Sequence, residues 1–330
     1  MASLTEETVL PRPGALSESP SSPIPGPTEE AFTETFGKLL PPATYLHTSD
    51  GKAVYYDLVP LSPLSQQDGS STPERVLFIH GVQTPALGIL PLARALQASF
   101  PATHFVLVDL WGHGLSDTPV VPHEPSLFHN LLDFLLDRLE WPSAHLVGYS
   151  FGGALTVGYV VSRPSRVQSF TLIAPAGIIP SSAFTTEEHA HLRGDDEAAA
   201  RKWILNFLQG GELLVPADWK ERVERGEVVA EAVKAWQKKA HPGHIASVVA
   251  IFRDGGVMDQ NAAFERAAGS GIPFLVVLGE SDDVCTKEEL EELGFRNISV
   301  VRNVGHEVVR QKVPEVTLLI EDFWAKLRPA

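Results

Sequence analysis

The chain has 330 residues, 44% of them hydrophobic, with a formal charge of −15 and a single cysteine, Cys285. That length and apolar content supply one large domain or two modest ones, while the acidic balance argues against nucleic acid or an anionic membrane surface as a partner. One cysteine excludes an intramolecular disulfide, and with it a disulfide-built secreted scaffold. The N-terminus, Met1-Ala2-Ser3-Leu4-Thr5-Glu6-Glu7, has neither a basic n-region nor an apolar h-region. No apolar run reaches the length of a membrane span, and Leu327-Arg328-Pro329-Ala330 carries no retention or peroxisomal address. A cytoplasmic protein is expected.

Residues 1–30 are rich in Pro, Ser and Glu without apolar periodicity and read as a disordered tail. Two alternating segments follow, Thr44 to His47 and Ala53 to Leu58, split by the turn Ser49-Asp50-Gly51-Lys52, which predicts a hairpin. The polar stretch from Gln66 to Pro73 reads as a loop. Beyond it, short continuous apolar runs alternate with helical patterns. The runs are Val76 to Ile79, Phe105 to Val108, His145 to Val147, Phe170 to Ile173, Phe274 to Leu278 and Ile298 to Val301. Strands without polar alternation are buried on both faces, as in a parallel sheet covered by helices. Helices are predicted over Leu87 to Leu96, Leu127 to Leu139 and Val313 to Leu327, the last two entered through Pro125 and Pro314.

The alternation breaks once. From about Pro180 to Gly271 only helical patterns occur: Asp195 to Leu208, Pro216 to Arg225, Val228 to Lys239 and His244 to Arg253. An insertion between consecutive sheet strands lies at their C-terminal edge, where open α/β sheets bind ligands. It reads as a lid, dividing the chain into a core of residues 31–180 and 272–330 and a helical cap with its return helix over 181–271.

Gly148-Tyr149-Ser150-Phe151-Gly152 sits between the buried run ending at Val147 and a helical stretch from Gly153 to Val161. A serine on such a strand-to-helix turn, with glycines two positions to either side, is the nucleophile-elbow pattern. The helix starting there aims free N–H groups at the serine's surroundings, where a negative oxygen forms in acyl transfer. A serine hydroxyl needs a base, and the base needs an orienting acid. Among twelve histidines, His306 lies in Gly305-His306-Glu307 between the last strand and the C-terminal helix. His80 and His113 lie at strand-end turns and read as braces; His241 and His244 flank Pro242-Gly243 and read as turn residues. The acid is sought after a strand close to that histidine. Gly279-Glu280-Ser281-Asp282-Asp283 offers Asp282 first, then Asp283 and Glu280. Oxyanion donors are expected from the backbone N–H groups of Phe151 and of Val82, with the Gln83 side chain as a possible addition. His189 and His191 have no third ligand nearby, and no cofactor or metal is expected.

The order Ser150, Asp282, His306 resembles the α/β-hydrolase fold superfamily, in its serine hydrolases with a helical cap. The resemblance covers nearly everything after the tail. His80-Gly81-Val82 resembles the oxyanion loop, and Asp109-Leu110-Trp111-Gly112-His113-Gly114-Leu115-Ser116 the D-x-x-G-H-G-x-S turn after the fourth strand. Gly148 to Gly153 resembles the elbow, and Gly279 to Asp282 with Gly305-His306 the endings that carry acid and base. It implies an eight-stranded, mostly parallel sheet, helices on both faces, and a helical cap after strand six. The family's acid falls on Asp282; the next position, often proline, is here Asp283. Epoxide hydrolases and haloalkane dehalogenases of this fold use aspartate where Ser150 stands, and epoxide hydrolases also use lid tyrosines, of which none occurs between Pro180 and Gly271. The implied activity is hydrolysis of a small apolar carboxylic ester or related acyl compound, with a small molecule as the only partner and no inference on oligomeric state. Thioesterase, cofactor-free haloperoxidase, C–C hydrolase of diketones and a non-catalytic ligand-binding protein on the same fold stand as alternatives. Phe184, Trp203, Phe207, Trp219, Trp236 and Phe252 are placed to line an apolar pocket or to pack as core.

Overall fold

Every buried run of the sequence becomes a strand of one sheet in the computed structural model, which describes residues 8–14, 21–62 and 73–327. The strands are β1 (Ala43–Thr48), β2 (Gly51–Leu58), β3 (Arg75–Ile79), β4 (His104–Asp109), β5 (Ala144–Tyr149), β6 (Val167–Ile173), β7 (Phe274–Gly279) and β8 (Ile298–Val301). Their order is β1-β2-β4-β3-β5-β6-β7-β8. The β1–β2 hairpin is antiparallel, β2 joins β4 antiparallel, and all other pairings are parallel. The stretch read as a loop from Gln66 lies, up to residue 72, outside the described residues.

Helices cover both faces. They are α1 (Glu29–Phe36), α2 (Leu90–Ser99), α3 (Pro125–Arg138), α4 (Phe151–Ser162), α5 (Thr186–Arg193), α6 (Glu197–Gln209), α7 (Trp219–Glu224), α8 (Ala230–Ala240), α9 (His244–Asp254), α10 (Asn261–Ala268), α11 (Lys287–Glu292), α12 (Val308–Gln311) and α13 (Val313–Ala325). Successive strand residues point to opposite faces. Leu77 and Leu146 pack with Leu131 of α3, Leu155 of α4 and Phe264 of α10. Their neighbours Val76, Phe78 and Val147 pack with Leu92 of α2 and Ile320 and Trp324 of α13. Burial on both faces is why these strands carry no polar alternation. The helix predicted from Leu87 divides into a 3-10 turn, Ala86–Gly88, and α2, because Pro91 in the first turn of α2 has no N–H to continue a helix through it.

The expectation of a disordered tail over residues 1–30 is corrected for its described part. Ile24 pairs with Thr118 through two backbone hydrogen bonds of 2.9 and 2.8 Å, and the Gly26 N–H donates to Asp117 Oδ1 at 2.9 Å. Upstream, Arg12 donates to the carbonyls of Leu192 and Arg193 at the end of α5, and Leu10 is buried against Ala246 and Ala250 of α9. A Pro-rich segment is already extended and loses little entropy on docking, so a few such contacts hold it. α1 begins inside this stretch: the Thr28 side chain accepts the Ala31 N–H, and Phe32 and Phe36 are buried.

Candidate active site

The chain turns from β5 into α4 at Ser150, whose φ of 54° and ψ of −117° put a non-glycine residue in a strained conformation. Strain of this kind is kept only where the surroundings enforce it. Here the Ser150 N–H donates to the Ile173 carbonyl of β6, and the Ser150 carbonyl accepts from Gly153, Ala154 and Ala176. A Cβ on Gly152 would strike the Ile79 carbonyl of β3, so glycine lets the helix start against the sheet. A Cβ on Gly81 would lie 2.8 Å from the Ser150 Cβ, which shows how closely the loop after β3 passes the serine.

His306, on the loop between β8 and α12, has Nε2 2.9 Å from Ser150 Oγ and Nδ1 3.2 Å from Asp282 Oδ1. A carboxylate only accepts, so Nδ1 carries the ring proton and leaves Nε2 free to accept from the serine hydroxyl. The Asp282 side chain is 1% exposed and that of His306 27%, so the carboxylate is sheltered while the imidazole stays open to a ligand. Asp282 Oδ1 also accepts the Val284 N–H at 3.0 Å. The other two carboxylates of the stretch go elsewhere: Glu280 accepts the Asn303 N–H, and Asp283 faces the cavity. Cys285, three residues after Asp282, is buried, and burial pushes its thiol up, away from thiolate character.

Phe151 opens α4 and Val82 follows Gly81; among the described residues neither N–H has a hydrogen-bond partner. The loop carrying Val82 is held from behind by histidines. His80 Nε2 accepts the Leu110 N–H at 2.9 Å, which puts its proton on Nδ1 for the Gly81 carbonyl at 2.7 Å. His113 Nε2 accepts the Gln83 N–H at 3.2 Å, and its Nδ1 donates to the Trp111 carbonyl at 3.0 Å. Burial pushes His80 down to about 4 and His113 well below the ordinary imidazole value, so both are neutral braces. Asp109 accepts from the Ala86 and Leu115 N–H groups and the Tyr56 hydroxyl, and burial raises it to about 6.

Two features here have little sequence signal. Gln237 of α8, fully buried, donates to the Gln83 carbonyl and accepts the Gly114 N–H, both at 2.7 Å, and so ties the inserted helices to the loop carrying Val82. His241 and His244 flank the Pro242-Gly243 turn between α8 and α9 as expected, with the His244 N–H donating to the His241 carbonyl at 3.1 Å. In addition both are buried and donate to the Ser116 and Gly112 carbonyls at 2.8 Å. A glutamine or histidine on a helix looks the same in sequence whether it faces water or a loop more than a hundred residues away.

A cavity of about 550 Å³ opens onto Ser150 and His306. Val82, Phe151, Ala176 and Ile179 line its core side, and Phe207, Lys234 and Phe252 reach it from α6, α8 and α9. The aromatic set splits. Phe184, Trp203, Phe207 and Phe252 form a chain of rings with successive centroids 5.4, 5.6 and 5.2 Å apart, of which Phe207 and Phe252 meet the cavity. Trp219 and Trp236 instead pack against Phe36 at 6.1 and 5.8 Å, as core.

The family model of the alpha/beta hydrolase fold matches residues 74–309, and the chain belongs to that family. A 2-(acetamidomethylene)succinate hydrolase of Mesorhizobium japonicum is 29% identical over 254 residues, which are 74% of this chain and 84% of that protein. A monoacylglycerol lipase of Mus musculus is 23% identical over 275 residues, 76% of each chain. Among solved structures, the enol-lactonase of Burkholderia xenovorans LB400 matches with a TM-score of 0.61 at 18% identity, over 86% of this chain and 100% of the other. These two relatives are, by name, a hydrolase and a lipase, and this chain is an α/β-hydrolase enzyme. Among the described residues no helix is long and apolar enough to cross a membrane.

Proposed function

We propose that the chain is a serine hydrolase that cleaves a small carboxylic ester, or a related acyl compound, through an acyl-enzyme on Ser150. The observation that carries this reading is the relay of hydrogen bonds from Ser150 Oγ to His306 Nε2 at 2.9 Å and from His306 Nδ1 to the buried Asp282 at 3.2 Å. In the proposed reaction His306 takes the serine proton as Oγ attacks the carbonyl carbon. The oxygen that becomes negative is received by the N–H groups of Phe151 and Val82. His306 then returns the proton to the leaving alkoxide, and a water activated by the same imidazole releases the acid. Asp282 holds the ring in the tautomer that can accept and stabilises the imidazolium; it need not take the proton itself.

The helices between β6 and β7 serve as a cap. Phe207 and Phe252 supply an apolar wall for the acyl chain, and water is displaced from the site as it fills. The related proteins act, by their names, on a substituted succinate and on monoacylglycerol. Small acyl compounds are the substrate class consistent with both and with the cavity.

The test is a panel of 4-nitrophenyl esters of increasing acyl length beside a set of vinylogous diketones. The wild type is expected to hydrolyse short to medium esters, and Ser150→Ala to lose at least about 10⁴-fold in kcat. Turnover of the diketones alone would replace the ester reading by C–C hydrolysis. No turnover of either by folded protein would leave a ligand-binding protein on a hydrolase fold.

A further inference from the structure

One end of the cavity carries charge that catalysis does not use. Lys234 of α8 and Arg310, on α12 four residues after His306, both line it. Arg310 donates to Glu307 Oε1 at 2.8 Å and lies 5.5 Å from the Tyr149 ring centroid, yet its Nη1 is buried without a hydrogen-bond partner. Lys234 is half-buried and, among the described residues, makes no ion pair or hydrogen bond. Glu307, which also accepts from Gln311, pairs with Arg310, and Glu307 and Glu231 (one turn before Lys234 on α8) attract the ammonium without bonding to it. The remaining charged groups on the cavity wall are Asp283 and Glu289, from the stretch after β7. Glu289 is engaged in capping α11 through Thr286, and Asp283 is exposed.

An unpaired ammonium half out of water is costly, and burial together with the nearby Arg310 lowers the Lys234 pKa. A lysine that merely covers apolar surface would send its head group to solvent, as the exposed Lys238 and Lys239 of the same helix do. Lys234 is held otherwise. It lies one turn from Gln237, whose two hydrogen bonds pin this face of α8 over the Gln83 loop. In a chain of formal charge −15, the long-range field repels anions, so a local cation is what an anionic ligand requires.

We propose that Lys234, backed by Arg310, is a carboxylate-binding subsite of the Ser150 cavity, and that the substrate carries a carboxylate beside its scissile acyl group. This rests on the cavity being the substrate site of the hydrolase described above. A carboxylate can accept from the Lys234 ammonium and from the unpartnered Arg310 Nη1, whereas a phosphate dianion would bring a second negative charge beside Glu307. Asp283, which lines the same cavity from the stretch after β7, disfavours a carboxylate placed beside it.

The experiment compares monomethyl adipate with dimethyl adipate, two ligands of nearly equal shape that differ by one negative charge. Binding to folded Ser150→Ala protein is measured by calorimetry, which needs no turnover. The monoester is expected to bind at least about fivefold tighter than the diester. In Ser150→Ala carrying Lys234→Met the ratio falls toward one, and in Ser150→Ala carrying Lys234→Arg it is kept. Equal or weaker binding of the monoester, or a ratio unchanged by Lys234→Met, overturns the subsite. Hydrolysis of the diester by wild type is followed in parallel. Its absence beside an intact binding ratio would count against the hydrolase reading and leave the subsite standing.

Discussion

Two sets of histidines occupy the same end of the sheet and do opposite things. His306 is part-exposed and lies between a buried carboxylate and a serine hydroxyl. His80, His113, His241 and His244 are at most 1% exposed and bond only to backbone groups. Their rings form a chain, with centroids 5.2 Å apart between His80 and His113, 4.9 Å between His113 and His244, and 6.1 Å between His244 and His241. An imidazole needs a carboxylate on one nitrogen and access on the other to work as a base. Without either, it is a rigid, neutral connector between a donor and an acceptor. Partner and exposure, not residue type, separate the proposed catalyst from the scaffold.

The sharpest way to break this contrast is through the acid. Asp282→Asn is expected to lower kcat about 10³–10⁴-fold, because an amide can donate to Nδ1 and favour the wrong tautomer. Asp283→Asn, whose carboxylate makes no contact with His306, should keep activity within about fivefold. Steady-state kinetics on one ester decides it, and the reverse pattern would move the acid to Asp283.

The second set is probed by pH. Burial pushes His80 and His241 down to about 4 and His244 to about 3, and His113 well below its ordinary value. Each takes up a proton below about pH 6.5 once unfolded but stays neutral when folded. The unfolded chain therefore binds more protons in the window between about 6.5 and 4, and stability falls as the pH is lowered through it. Each of His80, His241 and His244 costs about 2 kcal/mol at about pH 5, and His113 adds a loss of the same sign. Asp109, raised to about 6, gains its proton earlier in the folded protein and offsets part of the loss. The Tm should be level near pH 7–8 and drop steeply toward pH 5. A level Tm across the window would show that these rings are not held neutral.

A smaller effect is expected at the bridge between the regions. Gln237→Leu leaves the Gln83 carbonyl and the Gly114 N–H unpaired, at a cost of about 1–3 kcal/mol by denaturant unfolding. Because the Gln83 loop carries Val82, the variant should also lose turnover; unchanged stability and turnover together would remove Gln237 from the account.

What the sequence shows and hides follows the range of the contacts. The strands were legible because burial on both faces writes itself into consecutive apolar residues such as Val76 to Ile79. The elbow was legible because its strain and close approach are local, demanding glycine within two positions of Ser150. α1 had a signal that composition outweighed: Thr28 before Glu29-Glu30, with Phe32 and Phe36 spaced i, i+4. Its stability comes from Trp219 and Trp236, nearly two hundred residues on, which no local pattern reveals. The roles of Gln237, His241 and His244 were hidden for the same reason, and so was the place of Lys234 on the cavity wall. A polar side chain's meaning is fixed by what the fold brings to it.

The central claim, that Ser150 is the nucleophile that His306 activates, is tested most directly by labelling with a fluorophosphonate and mapping the adduct by mass spectrometry. One adduct per chain on the Ser150 peptide, absent from Ser150→Ala and strongly slowed in His306→Ala, is the expected result. Folded wild type that stays unlabelled, or that carries the label on another residue, would contradict it.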